Sequence, residues 1–347
     1  MRVSRSLSCL TATLAAYAAY RVGTHFSRHF HLHGATVLIL GGSRGLGFEL
    51  ARAYADAGAS RLLLVARDHG RLLQAKARVE AHGAMVDVRA FDLRTPGAAA
   101  EAVAWAKEQY GRLDVLVCNA GIIQAAPREH VTDKDYDDAF ALHVQAPREA
   151  IEAAVPLMRD QPQRGRIVVI SSVGGIVPVP HLIPYSASKF ALTGLGGALT
   201  PALRREGIYL TTVCPGLMRT GGHRNAAFKG QAAKEFAWFA ISDASPLLSM
   251  SAARAARRIV AASRRGQARL TLTLNARLVH ALDTLAPELT ADLLTVAERM
   301  LPAPTGPSGD ALHLGYEVAT EAHVPPVLLA PAEAAATRNL EAPALPP

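Results

Sequence analysis

Thr36-Val-Leu-Ile-Leu40-Gly41-Gly-Ser43-Arg44-Gly45-Leu46-Gly47 joins a short uncharged run to a glycine-rich turn. An apolar run of this length, closed by glycine, reads as a strand buried on both faces of a parallel sheet. The residues that follow, to about Ala57, carry apolar side chains at helical spacing. Gly41, Gly45 and Gly47 let the backbone turn tightly and approach a pyrophosphate. They do so where the free N–H groups and dipole of a helix N-terminus favour an anion. A glycine-rich turn alone says little, but between strand and helix it is specific. This stretch predicts a doubly wound α/β fold with a mostly parallel sheet and a dinucleotide at the carboxyl ends of its strands.

Moving outward, the alternation of strand and helix continues. Arg61–Ala66 reads as a second strand, Met85–Phe91 as a third, Val115–Asn119 as a fourth and Arg166–Ile170 as the next. Ile208–Cys214 follows, with a weak last strand near 268–274. An acid at the end of the second strand would bind ribose hydroxyls, whereas an arginine accommodates a 2′-phosphate. Here Ala66 is followed by Arg67, and Arg44 lies inside the glycine turn. Two guanidinium groups converging on one phosphate point to NADP over NAD, with Asp68 the only opposing sign.

The chemistry is carried by Ser172, by Tyr185 thirteen positions on, and by Lys189 four further. Positions i and i+4 share a helix face, so Lys189 can set its ammonium near the Tyr185 phenol. A free phenol titrates near ~10, and a nearby cation lowers that value. Ser172 can hydrogen-bond the substrate oxygen. The three form a general acid/base site for carbonyl or alcohol chemistry.

In this order the motifs resemble the short-chain dehydrogenase/reductase family over roughly residues 34–272. The resemblance implies a catalytic set of Ser172, Tyr185 and Lys189. It places the cofactor on the turn from Gly41 through Ser43, Arg44, Gly45, Leu46 and Gly47, and on Arg67. It adds Asp92 and Leu93 beside the adenine, and Asn119-Ala120-Gly121 under the sheet centre. Tyr185 and Lys189 join this cofactor set, with Pro215, Gly216 and Thr220 after the sixth strand. The family's first glycine usually follows threonine, whereas here it follows Leu40. A larger departure is His143, where the family has an asparagine that holds a relay water. Two readings stay open: a core histidine satisfied by the backbone, and a fourth catalytic member holding the water.

Composition bounds the rest. Half of the 347 residues are hydrophobic, enough for a sizeable core. The net charge of +8 is scattered and partly N-terminal, since Arg2, Arg5, Arg21 and Arg28 all precede the first acid, Glu49. No nucleic-acid partner is expected. Cys9, Cys118 and Cys214 show neither metal spacing nor a disulfide framework, and no metal is expected. Residues 1–33 form an extension whose uncharged run from Leu7 to Tyr20 is too short to span a bilayer. It reads either as a membrane-interface helix or as a helix packed on the protein; a cleaved signal is disfavoured. His25, His29, His31 and His33 read as a solvated linker. Residues 34–275 form the catalytic domain. Residues 276–301 form two helices whose apolar stripe is expected to be buried against the core, a partner subunit or a membrane, the core being the commonest outcome. Residues 302–347, with nine of the 21 prolines, are expected to be disordered. Aromatic residues Phe228, Phe236, Trp238 and Phe239 fall where the family keeps its substrate lid, which suggests a lipophilic pocket.

The expected protein is thus a cytoplasmic NADP(H)-dependent oxidoreductase of a small-molecule carbonyl or secondary alcohol. It is expected to self-associate as a homo-oligomer and to touch a membrane surface peripherally. The rival readings are a non-catalytic dinucleotide-binding sensor or scaffold, and a membrane-tethered adaptor without turnover.

Overall fold

The computed structural model describes residues 23–24, 28–246 and 248–342. The first strand, β1 (Thr36–Leu40), is wholly buried and leads into helix α1 (Gly45–Asp56). In order there follow β2 (Arg61–Ala66), α2 (His69–Glu80), β3 (Met85–Ala90), α3 (Ala98–Tyr110) and β4 (Val115–Cys118). After these come α4 (Asp133–Phe140), a π-turn over Ala141–Gln145, α5 (Ala146–Arg159), β5 (Arg166–Ile170) and α6 (Ile183–Arg205). The chain continues through β6 (Tyr209–Cys214), α7 (Ala232–Ala244), α8 (Ala252–Arg264) and β7 (Arg269–Thr271). It then forms α9 (Leu274–Leu285), α10 (Pro287–Met300) and α11 (Pro326–Arg338).

The seven strands form one parallel sheet in the order β7-β6-β5-β4-β1-β2-β3. The order reverses between β1 and β4, the place where an open α/β sheet leaves a crevice at its carboxyl ends. Helices cover both faces. On one, Phe48, Leu50 and Tyr54 of α1 pack with Ile259 and Val260 of α8. On the other, Trp105, Ile151, Met158 and Leu192 pack against Leu38, Leu116 and Ile167. The doubly wound prediction holds, and the first two strands fall on their expected residues.

Three expectations outside the sheet are corrected. First, His31 and His33 are solvated as expected, but residues 28–33 are a packed strap rather than a free linker, because the alternate side chains Phe30 and Leu32 enter the core. The guanidinium of Arg166, itself buried between the Phe30 and Tyr209 rings, donates to the Arg28 carbonyl. Second, the apolar stripe of α9 and α10 is not covered by the body: Leu285 is 83% and Met300 81% exposed. Third, the proline-rich tail is folded over its described residues, 302–342. Pro326 opens α11, where a missing N–H costs nothing. Its alanines 332, 335 and 336 are buried, and Leu329 and Ala332 complete a satellite core with Phe228, Phe236 and Phe239. A helix held by tertiary packing needs no periodicity strong enough to read locally. The uncharged run Leu7–Tyr20 lies outside the described residues. Among the described residues, no helix is long and apolar enough to cross a membrane.

Candidate active site

The crevice at the β1/β4 switch opens into a cavity of about 420 Å³. Its floor is the glycine turn. Gly41 takes a left-handed φ of +84°, and a side chain there would strike Ala120. Gly47 lets α1 lie directly on the Gly41 carbonyl, where any Cβ would collide. Asn119 donates its amide to that same carbonyl at 2.8 Å, pinning the turn to the end of β4. Ser43, Arg44, Leu46, Asn119, Ala120 and Gly121 line the cavity; Gly45 and Gly47 support it from beneath.

Arg67, Asp92 and Leu93 also line the cavity, as do Thr220, Gly216 and Pro215, whose carbonyl accepts the Val173 N–H at 2.6 Å. Asp92 is gripped by Arg94 at 2.7 and 3.1 Å, and this hydrogen bonding holds its carboxyl down at about 2. Asp68 is spent on capping α2, accepting the Arg71 N–H at 3.0 Å. Arg71 is a third guanidinium at the cavity wall. It stands in the first turn of α2, whereas Arg67 lies before that helix, so no helical spacing in the sequence marked it.

At the other end stand Ser172, Tyr185 and Lys189. Ser172 sits just past β5, its hydroxyl accepting from the Gly174 N–H at 3.0 Å. Pro184 opens α6, so Tyr185 and Lys189 occupy its first turns on one face. Lys189 is buried and donates to the Ile170 carbonyl at 2.9 Å, and burial lowers its amine to about 7. Its Nζ lies 5.6 Å from the centre of the Tyr185 ring. The phenol differs from expectation: burial raises it above its ordinary value, while hydrogen bonding with Ser172 opposes the shift. A lysine that is itself desolvated offers too little field to reverse the effect of burial.

His143 is fully buried on the π-turn, which interrupts the single helix expected over 133–159. Its Nε2 accepts the Ile122 N–H at 3.1 Å. The proton must then sit on Nδ1, which donates to the Ser188 hydroxyl at 2.8 Å, and that hydroxyl donates to the Tyr185 carbonyl. Burial, then the Lys189 charge, hold the imidazole well below its usual value and neutral. Both ring nitrogens are committed within the protein, so neither is left to hold a relay water. Of the two readings left open for His143, this geometry is that of a core histidine satisfied within the fold: it braces Ile122 and the first turn of α6, with its ring edge-on to Tyr185 at 5.5 Å.

The aromatic lid residues divide. Trp238 and Phe239 line the cavity, whereas Phe228 and Phe236 fill the lid's own core. Sequence reasoning missed Asn225 and Glu341, which close the cavity beside Arg44. Nothing local marks Glu341, since it reaches the site from the far end of the chain.

The short chain dehydrogenase family model matches residues 35–229. Gluconate 5-dehydrogenase of Gluconobacter oxydans is 34% identical over 191 residues, 55% of this chain and 74% of the relative. A metagenomic short-chain oxidoreductase, solved in complex with NADP, superposes with a TM-score of 0.51 at 33% identity, covering 54% of this chain and 84% of that one. L-Sorbose reductase from Gluconobacter frateurii, complexed with NADPH and L-sorbose, shares the fold at 24% identity with a TM-score of 0.62, over 70% and 97% of the two chains. The family match takes in the sheet from β1 to β6 and all of α6, and on that ground this chain is a member of the short-chain dehydrogenase family of oxidoreductases.

Proposed function

We propose that the protein is an NADP(H)-dependent carbonyl reductase acting on a lipophilic ketone or aldehyde. The observation that carries this reading is a single cavity with Ser172, Tyr185 and Lys189 at one end and Arg44, Arg67 and Arg71 at the other. The residues fit a phosphorylated dinucleotide. The glycine turn leaves backbone room above α1, and three guanidinium groups stand where a 2′-phosphate would need a counter-charge. The bound nicotinamide would supply the hydride. Ser172 orients the carbonyl oxygen, and Tyr185 gives it the proton. A phenol raised by burial stays protonated at neutral pH, which is the form that donates to a carbonyl. Lys189 would hold the nicotinamide ribose and return a proton to the phenolate that Tyr185 becomes. Trp238, Phe239, Val179 and Leu182 give the pocket its apolar wall.

The test is NADPH oxidation against a panel of ketones and aldehydes of graded chain length. Turnover should rise with apolar size, and Tyr185→Phe should bind NADPH but turn over at least ~10²-fold slower. The sensor or scaffold alternative requires tight NADPH binding with no turnover on any member of the panel.

Within the same reading, the protein works in the cytoplasm against an anionic membrane surface. The exposed side chains of α9 and α10 supply the apolar contact. They adjoin a depression lined by Arg254, Arg257, Arg258, Arg265 and Arg277 and by no acid. Self-association is proposed through α4 and α6, where Tyr136 and Phe190 remain exposed; light scattering on the purified chain reads it directly.

A further inference from the structure

The tail after α11 runs into the dinucleotide cradle. Leu340 adopts a left-handed φ of +58°, unusual for a residue with a side chain, and buries that side chain in the core beneath α1. This turn delivers its two neighbours to the glycine turn. The carbonyl of Asn339 accepts the Gly45 N–H at 2.8 Å, one of the free donors at the N-terminus of α1. The Asn339 side chain donates to the Thr220 carbonyl at 2.9 Å, on the opposite wall. Glu341 is 6% exposed, and its carboxylate rests against the bare Cα face of Gly45. Asn225 donates to that carboxylate at 2.7 Å and to the Glu341 carbonyl at 2.9 Å. Arg44 lies 3.3 Å from the same carboxylate, and its guanidinium also donates to Asn225. An acid at this point is the side chain that best imitates a phosphate: its oxygens are met by a helix N-terminus and a guanidinium. α1 has no acid of its own in its first turn.

We propose that residues 339–342 are an internal competitor for the cofactor, with the Glu341 carboxylate seated where a phosphate of the dinucleotide must go. The proposal rests on the NADP(H) reading above. Binding of the dinucleotide then requires the segment to leave, and the free chain pays for this with a weaker apparent affinity. Release stays local because α11 has separate anchors. Glu333 is held by His223 at 3.1 Å and by Arg224 at 2.8 Å, and Leu329 and Ala332 sit in the lid core. The tail is therefore tethered beside the site whether its end is docked or free.

The experiment uses the full chain and its Glu341→Ala variant. NADPH affinity is read by fluorescence titration, and amide exchange is followed at Gly45 and residues 339–342. The competitor predicts that Glu341→Ala binds NADPH about tenfold more tightly. It also predicts that these amides are protected in the free wild type, that NADPH speeds their exchange at 339–342, and that the variant lacks the protection from the start. Equal or weaker NADPH binding by Glu341→Ala, or greater protection of 339–342 on adding NADPH, would overturn it. In the latter case the tail is a wall of the cofactor site. Failure of both forms to bind NADPH sinks the cofactor reading instead, and with it the competition.

Discussion

Two buried nitrogen bases beside Tyr185 are both neutral-leaning, and they owe this to the same cause. Lys189 loses hydration on entering α6's inner face, and its amine falls to about 7 from the ordinary value of 10.5. Between those values the unfolded chain holds a proton that the folded one has shed. Stability contributed by this group is therefore lowest below pH 7 and rises with pH toward 10.5. Lys189→Met removes the buried charge, so its melting point in the absence of ligand should exceed wild type at pH 6. The gap, of the order of several kcal/mol by linkage, should close as pH approaches 10. Melting curves at four pH values decide it; a gap independent of pH would refute the depressed amine.

His143 follows the same rule with a different consequence. Its ring is neutral by burial, and each nitrogen has a partner in the fold. His143→Leu leaves the Ile122 N–H without an acceptor, a loss of roughly 1–3 kcal/mol in stability. Turnover in that variant should fall through misplacement of Tyr185, with its pH profile unchanged in shape. An acidic limb that disappears in the variant would restore a titrating, water-holding histidine.

At the scale of elements, cofactor choice belongs to the joints after β1 and β2 rather than to any one residue. Asp68 caps α2 and thereby aims Arg67 and Arg71 toward the cavity. Arg67→Ala should weaken NADPH by roughly 1.5–3 kcal/mol, the worth of one charge-assisted contact. NADH binding should change little, because the contact proposed for that arginine is with the 2′-phosphate, which NADH lacks. Parallel titrations with the two cofactors check this, and an equal loss for both would place Arg67 elsewhere. The π-turn is the second decisive joint. One residue more in a helical turn re-aims the side chains around it, and here it turns His143 inward under Ile122.

Across the whole molecule, one face carries the unspent apolar surface. Leu274, Leu278, Leu285, Leu289, Leu293 and Met300 are exposed on α9 and α10, next to the arginine-lined depression. Vesicles of phosphatidylserine should float the full chain, and neutral phosphatidylcholine vesicles should not. Arg254→Glu, Arg257→Glu and Arg265→Glu together should abolish flotation, since each basic residue near such a surface is worth about 1 kcal/mol. Flotation that is insensitive to these changes would assign the membrane contact to the segment before residue 23. A chain that remains free of both vesicle types would leave this face for another copy of itself.

The centre of the sheet was legible because its strands are buried on both sides, and burial on both sides forces runs such as Val37–Leu40 that polar context cannot imitate. Ser172, Tyr185 and Lys189 were legible because one strand end and one helix face fix their spacing. Arg44 and Arg67 were legible because each ends a short joint in the sheet. What the sequence left open depends on contacts between distant residues. The protonation of Tyr185 follows from burial rather than from its neighbour four residues on. The commitment of His143 needs Ile122 and Ser188 brought to its two nitrogens. The folding of the proline-rich tail needs an aromatic lid to pack against, and only that packing carries Glu341 to Gly45 across the length of the chain. Local patterns determine which elements form, because each element's own periodicity records which face it buries; tertiary packing decides hydration, and hydration sets charge.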